Sequence, residues 1–345
     1  MTRVLVREAR AAARAWVAES AAGVPGFGGA FYTGSTIGLG GDAELPAVSD
    51  VDVAVVVAGP APAKLGKFRY RDALLEVTYL PWDEVATAAR TYYLASSFAS
   101  DQVIADPTGR LGRLTEAVSG TFGRPVAVRR RCADVLRRVH SGLSTLDTAA
   151  SWPELVTGLV FPASLATQLL PVAAQHPPTV RLRYLAARNL LAARGGDLYR
   201  AMLDVLGCVD VDRATVQRHL DGLAVTFDRA ASVARTRFFF SADITAVGRP
   251  VAIDGSQQLI DAGDHREAVF WIVATHARCA RILAADGPPA GRAAADRRFR
   301  AAVGDLLGLH GTADVQDRRD RACALLPAIR AAAGAIVEAG QAAGS

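Results

Sequence analysis

The chain has 345 residues, 51% of them hydrophobic and 21% charged, with a net charge of +5. That is too apolar for a disordered chain and long enough for about two domains, yet no uninterrupted apolar run reaches the ~18 residues that span a bilayer. Four scattered cysteines, Cys132, Cys208, Cys279 and Cys323, form no Cys-x-x-Cys pair and argue against a disulfide framework or a zinc site.

The amino terminus carries Glu8 among Arg3, Arg7, Arg10 and Arg14, lacks a signal peptide's layout, and predicts a cytoplasmic protein. An amphipathic helix is expected from about Arg7 to Ser20, stopped by the glycines and Pro25 of "AAGVPGFGG". A short strand "AFYTG", a Gly-rich turn and the valine-rich strand "DVDVAVVV" come next. A Pro/Ala linker, "AGPAPAKLGK", leads to the strand "RDALLEVTYLP", and "QVIADPTG" adds a last extended piece ending in a turn. Strands mixed with helices over residues 1–125 predict a small mixed β-sheet domain of α+β class.

From about Val128 the apolar residues recur at three- and four-residue steps, as in "CADVLRRVHSGLSTL" and "REAVFWIVATHARCARIL", predicting an all-α helical bundle over residues 126–345. Within it, "FFFSADITAVGRPVAIDGSQQL" reads as extended chain or loop, with the second Gly-Ser pair in a turn. The first 125 residues hold 12 basic and 13 acidic groups and the remainder 27 and 21, so the positive charge lies in the helical half.

The stretch "GSTIGLGGDAELPAVSDVDVAVVV" carries the chemistry. Residues two apart on a strand share a face, so Asp50 and Asp52 present their carboxylates together. Two adjacent buried carboxylates repel, and burying either is costly, so structure alone gives no reason for the pair. A divalent cation does, and Mg²⁺ favours one or two carboxylates together with substrate phosphates. Ahead of them Gly34 and Ser35, with Thr36 beside, form a turn whose backbone N–H groups and hydroxyl suit a phosphate. Glu76 supplies a third carboxylate in the apolar run "ALLEVTYLP" and needs a partner there.

Taken together, a strand, Gly-Ser, a connection, and Asp-x-Asp opening a strand resemble the minimal nucleotidyltransferases of the DNA polymerase β superfamily, which include the aminoglycoside and lincosamide enzymes. The resemblance covers about residues 1–120. It implies that Asp50, Asp52 and Glu76 bind Mg²⁺ and form the acidic catalytic site, and that Gly34, Ser35 and Thr36 hold the phosphates of a nucleoside triphosphate, with ATP the first donor to test. The connection between Ser35 and Asp50, containing Asp42 and Glu44, is long for the motif and reads equally as a flap or a surface insertion.

Other residues carry two readings each. Related antibiotic nucleotidyltransferases take a general base from the helical domain, which here points to Glu267; yet Asp264 and Glu267 have capping-box spacing ahead of an apolar helix, a structural role. His265 reads as an exposed first-turn residue and His276 as an ordinary helix residue. Lys64 and Lys67, the chain's two lysines, fall in the linker, where solubilising charge is expected and contact with a triphosphate is the alternative. "VRRRCADVLRRVH" lacks aromatic interleaving and reads as a solvated helix face rather than a nucleic-acid patch.

The expected function is therefore Mg²⁺-dependent transfer of a nucleoside monophosphate to a small-molecule hydroxyl or similar nucleophile, in antibiotic resistance or biosynthesis. Aminoglycosides are polycations, and the cationic second half points instead to a neutral or anionic acceptor. The alternatives are transfer to RNA or protein, and a non-catalytic nucleotide-binding scaffold. The sequence contains nothing that identifies the acceptor or the oligomeric state.

Overall fold

The computed structural model describes residues 4–46, 48–194 and 196–343. Helix α1 (Val6–Glu19) begins where the Glu8 carboxylate accepts the Leu5 N–H at 2.9 Å, and it turns Val6, Ala9, Ala13 and Val17 inward. Five strands follow: β1 (Phe27–Thr33), β2 (Val51–Val57), β3 (Gly66–Tyr70), β4 (Ala73–Pro81) and β5 (Val103–Ala105), forming one mixed sheet in the order β3-β4-β2-β1-β5. The β2–β4 pair is parallel and the other three are antiparallel. Strand β3 lies partly in the stretch expected to be a linker, and a two-residue hairpin at Arg71 and Asp72 joins it to β4.

Alternation along the strands gives the sheet two cores. Val51, Val53, Val55, Val57, Leu75 and Val77 pack with α1, while Ala54 and Val56 pack on the other face with Phe31, Phe98 and Leu111. Short helix α2 (Trp82–Val85) and helix α3 (Arg110–Ser119) belong to this second face through Val85, Leu111 and Val118. The chain divides into two compact units: one runs up to Asp134 and adds Val172–Thr179 and the segment from Val337, and the other holds Val135–Pro171 and Val180–Ile336. The first division falls inside α4 (Pro125–Ser144), later than the expected boundary at residue 125.

Further helices follow: α5 (Trp152–Leu165), α6 (Leu169–Ala173), α7 (Arg183–Leu191), α8 (Asp197–Leu206), α9 (Arg213–Val233), α10 (Gly255–Asp261), α11 (His265–Asp286), α12 (Pro289–Leu307) and α13 (Thr312–Ala343). Apolar on nearly every side, α11 is the buried axis of the second unit and packs on α5, α9 and α12. The stretch "VAIDGSQQL" is helical, a π-turn at Pro250–Asp254 running into α10, and not the expected turn. Three stretches, Trp152–Ala173, His265–Asp286 and Pro289–Gln341, are long and apolar enough to cross a membrane by length and composition. Counting only uninterrupted apolar runs passes over them, because scattered polar residues break each run.

Candidate metal and phosphate site

Strand register builds the acidic cluster. Asp52 pairs with Glu76 across β2 and β4, Glu76 pairs with Lys67 across β4 and β3, and Thr33 of β1 pairs with Asp52. Cross-strand partners share a face, so Thr33, Asp52, Glu76 and Lys67 form a row over four strands, and Asp50 joins the same face two residues before Asp52. One ligand oxygen from each of Asp50, Asp52 and Glu76 lies within 4.8 Å of the others.

The Gly-Ser turn is built against this row. Gly34–Gly38 form a 3₁₀ turn entered through Gly34 at φ +72°, and a Cβ on Gly34 would collide with the Asp52 carboxylate. Only glycine allows that approach at that φ without strain. Arg10 of α1 fastens the turn by donating from Nη2 to the Thr36 carbonyl at 2.7 Å, and its guanidinium lies 5.0 Å from the Tyr32 ring. Ser35 is exposed, whereas Thr36 is fully buried and its Oγ1 makes no hydrogen bond. The sequence carries no signal of this role for Arg10, because a helical arginine does not announce a partner 26 residues on.

Both lysines join the cluster, against the expectation of loop charges. Lys67 stands on β3 with its side chain 8% exposed; its Nζ lies 2.6 Å from Asp50 Oδ2 and also pairs with Glu76 Oε2, while Lys64 pairs with Glu76 Oε1. Asp50 is 9% exposed, and its Oδ2 meets the Lys67 ammonium in a close ion pair. Burial pushes the Glu76 carboxyl up, but Lys67 and Lys64 outweigh it and bring the pKa down to about 2. Burial raises Asp50, opposed by Lys67, and raises Asp52 further with help from the carboxylates of Asp50 and Glu76. Lys67 is held charged: burial disfavours its ammonium, and Asp50 and Glu76 more than compensate.

The connection after the turn lies along the start of α1. Val6 and Arg7 donate backbone N–H groups to Ala43 and Gly41 at 2.9 Å, Leu45 donates to Val4, and Arg7 pairs with Asp42. These bonds fix Gly41–Leu45 as a packed insertion; Ala47 lies outside the described residues.

In the second unit, the expected capping box is absent. Asp264 makes no side-chain cap; instead Arg188 Nη1 lies 2.8 Å from both Asp264 Oδ1 and Glu267 Oε1. Glu267 is 2% exposed and its Oε1 also accepts the Tyr199 hydroxyl at 2.6 Å. The carboxylate thus closes an ion pair inside its unit. His265 contacts the Gly263 and Val211 carbonyls, and His276 is buried beside Phe299, with burial and then the nearby His219 and Arg298 pushing its pKa down to about 3. On α4, Arg129, Arg130, Arg137 and Arg138 are exposed, while Arg131 turns in to the Phe122 carbonyl and ring.

A groove of about 630 Å³, lined partly by Arg90, Arg124 and Arg130, includes none of the clustered acids. The donor set at the sheet, three carboxylates beside a turn that a Cβ would fill, fits a hard divalent cation next to a phosphate. No protein-family model matches the chain, and no curated protein is significantly similar to it.

Proposed function

We propose that this chain is a metal-dependent nucleotidyltransferase of the DNA polymerase β type that moves a nucleoside monophosphate from a nucleoside triphosphate to a small-molecule acceptor. The observation that carries this reading is the close approach of the Gly34 turn to Asp52 within the Asp50, Asp52 and Glu76 cluster. That approach sets a phosphate-sized turn against the carboxylates, and it demands glycine at the one position where the motif has it.

Asp50 and Asp52 would hold Mg²⁺, which supplies neutralisation of charge developing on the phosphoryl oxygens and the leaving pyrophosphate. The chain's own parts have separate tasks. The turn at Gly34, Ser35 and Thr36 offers backbone N–H groups and the exposed Ser35 hydroxyl to the phosphates, and Arg10 keeps that turn in place. Transfer forms the bond from acceptor oxygen to the α-phosphorus as the bond to pyrophosphate breaks; pyrophosphate leaves with the electron pair and the acceptor's proton goes to the medium. Glu76, held near pKa 2 by two ammonium groups, is a poor general base, and Glu267 is engaged by Arg188 and Tyr199. The proposed setting is cytoplasmic and the acceptor neutral or anionic.

The competing reading is a nucleotide-binding scaffold, and it takes support from Lys64 and Lys67, which already neutralise part of the cluster. Calorimetric titration of ATP, GTP, CTP and UTP, with and without Mg²⁺, separates the two. Mg²⁺-dependent binding that the Asp50→Asn/Asp52→Asn double variant loses, followed by pyrophosphate release with an acceptor, supports the transferase. Binding that ignores both Mg²⁺ and the double substitution removes it.

A further inference from the structure

Lys67 occupies a place that the acidic cluster alone does not explain. Its backbone is pinned opposite Glu76 by the β3–β4 ladder, its side chain is 8% exposed, and its ammonium touches Asp50 Oδ2 at 2.6 Å and Glu76 Oε2. Lys64 takes the other oxygen of Glu76, so both of that carboxylate's oxygens face lysines. Asp50 meets that ammonium through Oδ2, and a carboxylate has further lone pairs with which to ligate another cation. In sites built for two divalent ions the ions sit about 3.5–4 Å apart. An ammonium in contact with Asp50 and Glu76 shares the Asp50 carboxylate with any ion held by Asp50 and Asp52.

We propose that Lys67 is a built-in second cation: the site takes one divalent ion, at Asp50 and Asp52, and Glu76 is a positioning residue that anchors Lys67 and Lys64 instead of ligating metal. Charge supports the count. With all three carboxylates ionised, as ligation of a divalent ion by the aspartates requires, they and the two ammonium groups sum to −1, which attracts one divalent ion; the resulting +1 repels a second in a partly desolvated site. Removing Lys67 leaves −2 and opens the oxygens it covers. The inference rests on the transferase reading only in placing a divalent ion at the aspartate pair.

The test is titration of the full chain with Mn²⁺ alone, counting bound ions from the loss of the free-ion electron paramagnetic resonance signal. Wild type is expected to bind one Mn²⁺ per chain, Lys67→Arg one, and Lys67→Met two, with the Lys67→Met/Glu76→Gln pair returning to one. Two ions on wild type overturn the proposal without any variant, and so does an unchanged count and affinity in Lys67→Met while its circular dichroism matches wild type. Either result leaves the transferase reading standing. The expected counts together with nucleotide binding indifferent to Mg²⁺ would instead keep the role of Lys67 and remove the transferase. No Mn²⁺ on wild type overturns the proposal and leaves the transferase reading to the nucleotide titration.

Discussion

Replacing Gly34 with alanine tests the contact on which the site depends, and Gly59 provides its internal control. Both glycines have positive φ, +72° and +88°, but a Cβ on Gly34 meets the Asp52 carboxylate, whereas one on Gly59 meets nothing within 4 Å. Placing an L-residue in the left-handed region costs about 1–2 kcal/mol, and this is the whole expected effect at Gly59. Forcing a methyl group into a packed contact adds about 1–3 kcal/mol, so Gly34→Ala should lose roughly 2–5 kcal/mol in total. Hydrogen exchange of peptides covering β1 and β2, in native buffer and with rising urea, reads the opening energy of this sheet without assuming that both units unfold together. Mn²⁺ affinity should fall in Gly34→Ala, because the displaced carboxylate is a proposed ligand, and stay unchanged in Gly59→Ala. Equal stability losses in the two variants, with equal Mn²⁺ binding, would refute the close approach and with it the strongest support for the transferase.

Other consequences are open to simpler measurements. Glu76 titrates near pH 2 against an ordinary 4.5, so its ion pairs contribute stability that is complete above pH 4.5 and lost as pH falls towards 2; Glu76→Gln should flatten that limb of a urea-midpoint profile. Asp52 has the opposite sign: its raised pKa means that ionisation destabilises the fold as pH climbs above the ordinary 3.8, so Asp52→Asn should raise metal-free stability at pH 7 while weakening Mn²⁺ binding. Arg188→Met leaves the buried Glu267 carboxylate without its cation and should cost about 2–3 kcal/mol, less than a fully buried pair because Arg188 is partly exposed; exchange of the first turns of α11 would show it. Burial raises the thiols of Cys132 to about 11 and Cys208 to about 12, and raises Cys279 as well, so a native chain at pH 8 should show at most one fast thiol, Cys323, and four in denaturant.

The parts of the site visible in the sequence are those whose logic is local. Asp50 and Asp52 follow from strand periodicity, and Glu76 stands out as an acid inside an apolar run. Convergence of the three follows from the parallel register of β2 and β4, which the strand pattern permits but does not specify. Lys67 escaped because "GKFRY" is five residues long and begins in a Pro/Ala/Gly stretch, while its hairpin turns on Arg-Asp rather than on a Gly or Asn signal. The capping-box spacing of Asp264 and Glu267 is present in sequence, yet a guanidinium 79 residues from Glu267 draws both side chains to itself. Local propensity proposed a cap, and a long-range charge decided otherwise. The second Gly-Ser pair failed for a related reason, since Ser256 bonds the Ala252 carbonyl inside a continuous helical stretch.

The two-residue hairpin between β3 and β4 also constrains how this site can be inherited. Lys67 and Glu76 are nine residues apart and directly paired, so inserting or deleting one residue in the hairpin would shift their register and turn one of them to the opposite, α1-covered face. The connection from Ser35 to Asp50 carries no such parity, because its residues hydrogen-bond to the start of α1 rather than to a strand partner in the row. Across descendants of this chain, length should drift freely before β2 and stay frozen in the hairpin. A search pattern for kindred sequences should therefore fix the Lys67-to-Glu76 interval and let the Ser35-to-Asp50 gap vary.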